Sequence, residues 1–195
     1  MTVWQWLDQL DKAVFTFVHA KAYAPSLDGL MLLLRHGTTW IPLYLFILYW
    51  ILRKENRKYA VAFILLSVAC VCFTDSVSVR ILKPLFGRLR PCHDEILQPV
   101  IRHIIDCAGL HSMPSSHASN HFGLAAFWFI SIAAINNRKW YWLWLWAALI
   151  CYAQVYVGKH YPGDILAGAL FGTLTGLLFY KIFERWRISS GSTSF

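Results

Sequence analysis

The sequence predicts an all-α protein: a polytopic membrane bundle of about five or six transmembrane helices, with an amphipathic helix at its N-terminus. Three observations carry this expectation. First, 57% of the 195 residues are hydrophobic and only 14% are charged, against roughly 25% charged in a soluble domain. Second, several apolar stretches approach the roughly 20 residues that a helix needs to cross a bilayer. Third, the basic residues gather in alternate connections, as they do in multi-pass proteins that keep Lys and Arg in the cytoplasm. The chain reads as one membrane-embedded domain, 1–195, with interfacial helices over 1–36 and a catalytic core over 59–183.

Taken in order, VWQWLDQLDKAVFTFVHAK (3–21) places Val3, Trp4, Leu7, Leu10, Val14, Phe15 and Phe17 on one side and carries Asp8, Asp11 and Lys12. It is expected to lie on the membrane surface, and its charges spoil it as a cleavable signal. Thr38–Leu52 is a short apolar stretch that can borrow length from SLDGLMLLLRHG before it. Full spans are expected over Tyr59–Leu82, Ala118–Ile135, Trp140–Val157 and Asp164–Phe183. WYWLWLW (140–146) alternates like a strand but runs into an apolar stretch too long for one, so it is read as helix with a tryptophan belt. Ala167, Gly168, Ala169, Gly172 and Gly176 in the last span are read as positions where neighbouring backbones approach.

The loops RKENRK (53–58) and NNRK (136–139) and the tail KIFERWR (181–187) are basic and are assigned to the cytoplasm. That leaves 83–117, 158–163 and the N-terminal helices outside. An odd number of spans puts the N-terminus outside, and a spanning 3–20 helix would put it inside. The formal net charge of +8 fits cytoplasmic loops and anionic lipid head groups. No Lys/Arg-rich tract with interleaved aromatics forms a separate module, so nucleic acid is excluded as a partner.

Three segments far apart in sequence fall on the outer side: LKPLFGRLRP (82–91), MPSSHASNHFG (113–123) and GKHYPGD (158–164). Lys83, Arg88 and Arg90 have no acidic residue among them, and such cations attract an anion; arginine fits phosphate bidentately. Ser115 and Ser116, just before a span, let backbone N–H groups approach that anion. His117 and His160 suit covalent and acid–base work, and Asp164, four residues after His160, can hold its ring. The pattern is a set of parts for phosphoryl transfer.

These residues also resemble a known family. Lys83 followed after six residues by Arg90-Pro91, then Pro114-Ser115-Ser116-His117, then His160 and Asp164, is similar to the three-part signature of the type-2 phosphatidate phosphatase, or lipid phosphate phosphatase, superfamily, in its bacterial integral membrane branch. The resemblance covers roughly residues 59–183. It implies a multi-pass protein of the inner (cytoplasmic) membrane with its site facing the periplasm or outside. It also implies roles. His160 takes the phosphoryl group and Asp164 orients it. His117 protonates the leaving oxygen and then activates water. Lys83, Arg90, Ser115 and Ser116 hold phosphate oxygens. Neither metal nor cofactor is implied; the partners are a lipid phosphate substrate and membrane lipids, and the oligomeric state stays open.

One position departs from the pattern. The arginine of the third block should fall at 154, where this chain has Gln154, after Ala153 in place of serine. Three readings stay open: an active enzyme in which Arg88 compensates, a weakened one, or a protein that binds a lipid phosphate without turnover. Restoring arginine at 154 is expected to raise turnover by roughly one order of magnitude, about 1.4 kcal/mol. A different class, a membrane anion transporter, would show internal repeats and broken helices, which the sequence lacks.

The remaining candidates receive plainer readings. His117 and His121 have zinc-ligand spacing, but HASNH lacks a glutamate and a metal would sit among cations, so His121 is read as packing or supporting His117. Asp75 and Arg80, about 140° apart round a helix, are expected to face the bundle interior. His19, His36, His93, His103 and His111 are expected at the surface. Cys70, Cys72 and Cys151 read as small apolar residues, and Cys92 and Cys107 are expected to pair in an oxidising compartment.

Overall fold

The computed structural model describes residues 1–189. Its helices are α1 (Val3–Thr16), α2 (Pro25–Arg35), α3 (Ile41–Lys54), α4 (Arg57–Val77), the short α5 (Lys83–Phe86), α6 (Ser116–Asn136), α7 (Trp142–Tyr156) and α8 (Pro162–Ser189). No strand occurs among the described residues, only an isolated bridge between Leu89 and His111. The helix ends follow local chemistry. Thr2 and Gln5 form a capping box at α1, Asn56 caps α4 and Ser115 caps α6, each satisfying a backbone N–H that the helix leaves free. Pro25 and Pro42 sit in the first turns of α2 and α3, where a missing N–H costs nothing.

The bundle is organised round α6, which packs on α4, α7 and most extensively on α8. The α6–α8 contact is set by glycines four residues apart. A Cβ on Gly168, Gly172 or Gly176 would run into the backbone oxygens of Ser115, Ser119 and Gly123 of α6, one rung each. This close approach fixes the register of the two helices and brings the Ser115 N–H to the Asp164 carbonyl at 3.0 Å. Toward the other end, Phe63, Phe127 and Phe183 knit α4, α6 and α8 together, and Trp128 stacks on Trp146 of α7.

By length and composition, three helical segments can cross a membrane: Arg57–Phe86, Ser116–Asn136 and Pro162–Ile188; α2 and α3, bent by 69° at their junction, make a fourth if they act together. The protein is a multi-pass membrane protein. The expected count of five or six depends on α3 and α7, which have 14 and 15 residues and reach only about 21 and 22 Å at 1.5 Å per residue.

Two expectations fail in the same region of physics. Asp75 and Arg80 are exposed rather than interior. The helix carries Thr74 and Ser78 inward instead, bonded to Asn120 and Ser119 of α6, and a π-turn over Ser78–Leu82 swings Arg80 outward. Asp75 only receives a bond from Asn120 at the rim. His19, expected at the surface, is 0% exposed. Its Nδ1 bonds the Tyr156 carbonyl at 2.7 Å and its Nε2 accepts from the Arg102 N–H at 2.9 Å, so both polar atoms are satisfied inside the fold.

Candidate active site

Four chain segments meet at one end of the bundle: the stretch through α5 to Arg90, the loop at 109–111, the start of α6, and the turn 157–161 between α7 and α8. They enclose a cleft of about 350 Å³ lined by Lys83, Arg90, His111, Ser116, His117, Lys159 and His160, with Val79, Gly109 and Leu110. No carboxylate lines it among the described residues.

His160 is 2% exposed. Its Nδ1 lies 3.1 Å from Ser112 Oγ and 3.5 Å from Asp164 Oδ2. Asp164 is fully buried and heavily bonded. Oδ2 accepts from Ser112 Oγ and, at 2.9 Å, from the Tyr161 N–H; Oδ1 accepts from Arg88 at 3.1 Å. With Nδ1 engaged on this side, Nε2 is the ring nitrogen left for the cleft. Burial pushes the His160 pKa down to about 4 against the pull of Asp164, so the ring is neutral near pH 7 and carries a free lone pair.

The cations sort into two kinds. Arg88, expected to face the anion, instead meets three carboxylates: Asp11 at 2.7 Å, Asp164 at 3.1 Å and Asp8 at 3.3 Å, with its plane 4.0 Å over the Tyr161 ring. Burial works against its charge, but Asp164 and Asp11 outweigh that and raise its pKa. It cannot also supply the charge that position 154 lacks, so the compensation expected of Arg88 does not hold. The sequence hid this because Asp8 and Asp11 come from α1, some 80 residues away. The same docking joins Lys12 to Asp94 at 2.8 Å and the Gly163 N–H to Asp11 at 2.7 Å.

The second kind has no acid. Lys83, 8% exposed, donates to the carbonyls of His111 and Ser112 at 3.3 and 3.2 Å. Lys159 donates to those of Asp106 and Ala108 at 3.0 and 2.9 Å. Arg90 has Nε and Nη1 buried without a partner, and a Cβ on Gly109, whose φ is +84°, would stand 3.3 Å from its Nη2. Glycine there serves both the left-handed backbone and the close approach. Burial and then the charges of Arg90 and Arg35 push Lys159 down to about 8. Such donors, held by carbonyls rather than carboxylates, keep their charge available for an anion.

Ser116 Oγ is buried without a partner beside His117, while Ser115 serves as the cap of α6, accepting from the Ala118 N–H. Gln154 is fully buried near the end of α7, and neither of its amide atoms has a partner; Ser115, Gln154 and Asp164 lie off the cleft lining. His121 bonds the His117 carbonyl at 2.8 Å and meets Trp146 edge-on, a packing position. His36, His93 and His103 are exposed as expected, but His111 is half-buried and lines the cleft. Cys92 and Cys107 are bonded, closing a loop that carries the Asp106 carbonyl and anchors the adjoining Ala108. Sequence reasoning missed Ser112, Lys159 and Arg35. Lys159 was legible as a cation beside His160; Ser112 was not, because its partners lie about 50 residues on.

The chain is similar to known proteins over most of its length. A family model, described as the PAP2 superfamily, matches residues 59–188. The lipid A 4'-phosphatase of Bacteroides thetaiotaomicron is 32% identical over 182 residues, 91% of this chain and 79% of that protein. The undecaprenyl-diphosphatase of Sulfolobus acidocaldarius is 28% identical over 80% of this chain and 71% of its own. Among solved structures, a PAP2-type phosphatidylglycerolphosphate phosphatase from Bacillus subtilis superposes with a TM-score of 0.66 at 16% identity, covering 96% of this chain and 89% of that one.

Proposed function

Because the chain belongs to the PAP2 superfamily, we propose that it is an integral membrane phosphatase that removes phosphate from lipid phosphate or diphosphate esters through a phosphohistidine. The observation that carries this reading is His160: a buried imidazole whose Nδ1 is held by Ser112 and Asp164 in a cleft whose charged lining is cationic.

Nε2 of His160 attacks phosphorus and the bond to the lipid oxygen breaks. His117 gives that oxygen a proton, which contributes typically 10²–10⁴-fold. The new N–P bond leaves a positive ring, which the Asp164 carboxylate stabilises. Lys83, Arg90 and Lys159, with Ser116, hold the phosphoryl oxygens, whose charge these fixed donors favour most in the transition state. Water then attacks phosphorus, His117 takes its proton, and inorganic phosphate leaves. The role of Ser115 is to aim the first N–H groups of α6 at the same oxygens. A cationic lining suits an anion rather than a metal ion, so the reaction is metal-independent. The basic loops 53–58 and 136–139 lie at the opposite end of the bundle, which by the positive-inside rule supports a cleft that faces away from the cytoplasm.

The test is phosphate release by the full chain in detergent from lipid A, undecaprenyl diphosphate, phosphatidylglycerophosphate and phosphatidate, with and without a chelator. Lipid A heads the panel because of the 32% likeness. Release is expected from at least one lipid, unaffected by chelator and abolished by His160→Ala. An active His160→Ala, or chelator inhibition reversed by zinc, would sink the reading.

A further inference from the structure

Arg35, the last residue of α2, is a half-buried guanidinium whose Nε is buried without a partner. An arginine there would ordinarily cap the helix or pair with an acid, and neither holds. The final carbonyls of α2 are already taken: that of Leu33 by Thr39 Oγ1 at 2.6 Å and by the His36 N–H, that of Leu34 by Trp40 Nε1 at 2.8 Å. Asp28, on the same helix, is engaged by Arg102 and by the Tyr156 hydroxyl. Asp106 shares an opening with Arg35 but forms no ion pair with it.

The packing of α2 says where this charge goes. Met31, one turn before Arg35, packs with Ala153 and Tyr156 of α7 and with Val157 just after it, on either side of Gln154. Residues four apart lie on one helix face, so Arg35 continues that face one turn on; it lines an opening beside the cleft with His103, Ile104, Ile105, Asp106 and Cys107, and the Asp106 carbonyl there holds Lys159 of the cleft at 3.0 Å. There its charge acts on Arg90 and Lys159. Burial lowers the pKa of each first, and Arg35 lowers both further. Like charges gathered at partly buried positions repel unless a multiply charged anion binds among them.

We propose that Arg35 is a phosphate-binding residue of this site, bringing from α2 the guanidinium that position 154 does not supply. The proposal rests on the phosphatase reading above. Arg35 and residue 154 are alternative sources of one charge, so the tenfold gain first expected from Gln154→Arg shrinks to less than twofold while Arg35 is present.

The experiment is a mutant cycle on the full chain in detergent, using the most active lipid of the panel and orthovanadate as a phosphate-shaped inhibitor. Arg35→Gln is expected to lower kcat about 10- to 100-fold and to weaken vanadate inhibition similarly, with an unchanged melting temperature. Adding Gln154→Arg to that variant should recover at least tenfold in kcat, which a purely structural arginine would not allow. Arg35→Lys, which keeps charge but not the fork, should fall between. The proposal is overturned if Arg35→Gln keeps its kcat and vanadate sensitivity, if the double variant recovers nothing, or if both Arg35 variants fail to fold. Should the wild type release no phosphate from any lipid, it is the phosphatase reading that fails. Vanadate binding measured calorimetrically on wild type and Arg35→Gln then decides Arg35 alone: weaker binding by the variant supports it, equal binding rejects it.

Discussion

The two ends of the bundle carry the same kinds of residue to opposite effect. At one end Arg53, Lys54, Arg57, Lys58, Arg138, Lys139, Lys181 and Arg185 are exposed. Those with partners there have ordinary ones: Lys58 lies 5.0 Å over the Trp186 ring, and the neighbouring Arg187 bridges Glu55 at 3.0 Å. At the other end Lys83, Arg90 and Lys159 are wholly or partly buried, and carbonyl oxygens rather than carboxylates hold the two lysines. A solvated cation keeps most of its charge screened by water; a desolvated one without an acid keeps its charge for an anion, because charge acts more strongly where water is excluded. Arg88 stands within the second end yet belongs to neither kind. Its three carboxylates make it a strut that ties α1 to Asp164.

The contrast is testable at several scales. The largest effect is expected from His117→Ala, which should cut kcat for phosphate release by about 10²–10⁴-fold, whereas Arg138→Gln at the opposite end should leave it within about twofold. Equal losses from both would erase the distinction between the ends. Next comes the bond between Cys92 and Cys107, which closes a loop with a sequence separation of 15. Its reduction should cost about 3 kcal/mol in the chain-entropy model, seen as a lower melting temperature in detergent, and should lower activity by loosening the carbonyls that hold Lys159. An unchanged melting curve in reductant would remove the loop from the scaffold of the site.

The pH profile is a smaller but sharper probe. His160 must be neutral to attack, so kcat/KM should rise with pH through about 4, the value to which burial holds its ring. Lys159 must be charged to bind phosphate, so KM should rise as pH passes about 8. Lys159→Gln should remove that rise and increase KM roughly tenfold at neutral pH; a rise in KM that survives the substitution assigns it to another group. The smallest effect is expected from Lys139→Gln, exposed at the far end, which should move stability by no more than about 0.5 kcal/mol. A larger change would show that the exposed cations also bear on the fold.

Much of this was written in local sequence. Apolar runs near the length of a bilayer, capping residues at Thr2, Asn56 and Ser115, and glycines four apart in α8 specify helices and their closest contact, because each acts over a few residues. The three motifs could be found for the same reason: His160 and Asp164 sit one turn apart, and Lys83 and Arg90 are seven residues apart. Burial and partnership were not legible, since they depend on segments that meet only when α6, α7 and α8 have packed. His19 looked like a surface histidine until Tyr156 and Arg102 closed over it. Asp75 and Arg80 looked interior until Thr74 and Ser78 took the inward positions against α6 and, for Arg80, a π-turn changed the helix phase. Arg88 looked free until α1 brought Asp8 and Asp11, and Arg35 drew no notice until α2 lay against α7. Sequence by itself determined which residues could carry charge and chemistry here. Tertiary structure decided which charges water and carboxylates neutralise and which stay available to a phosphate, because desolvation and pairing are properties of contacts between distant parts of the chain.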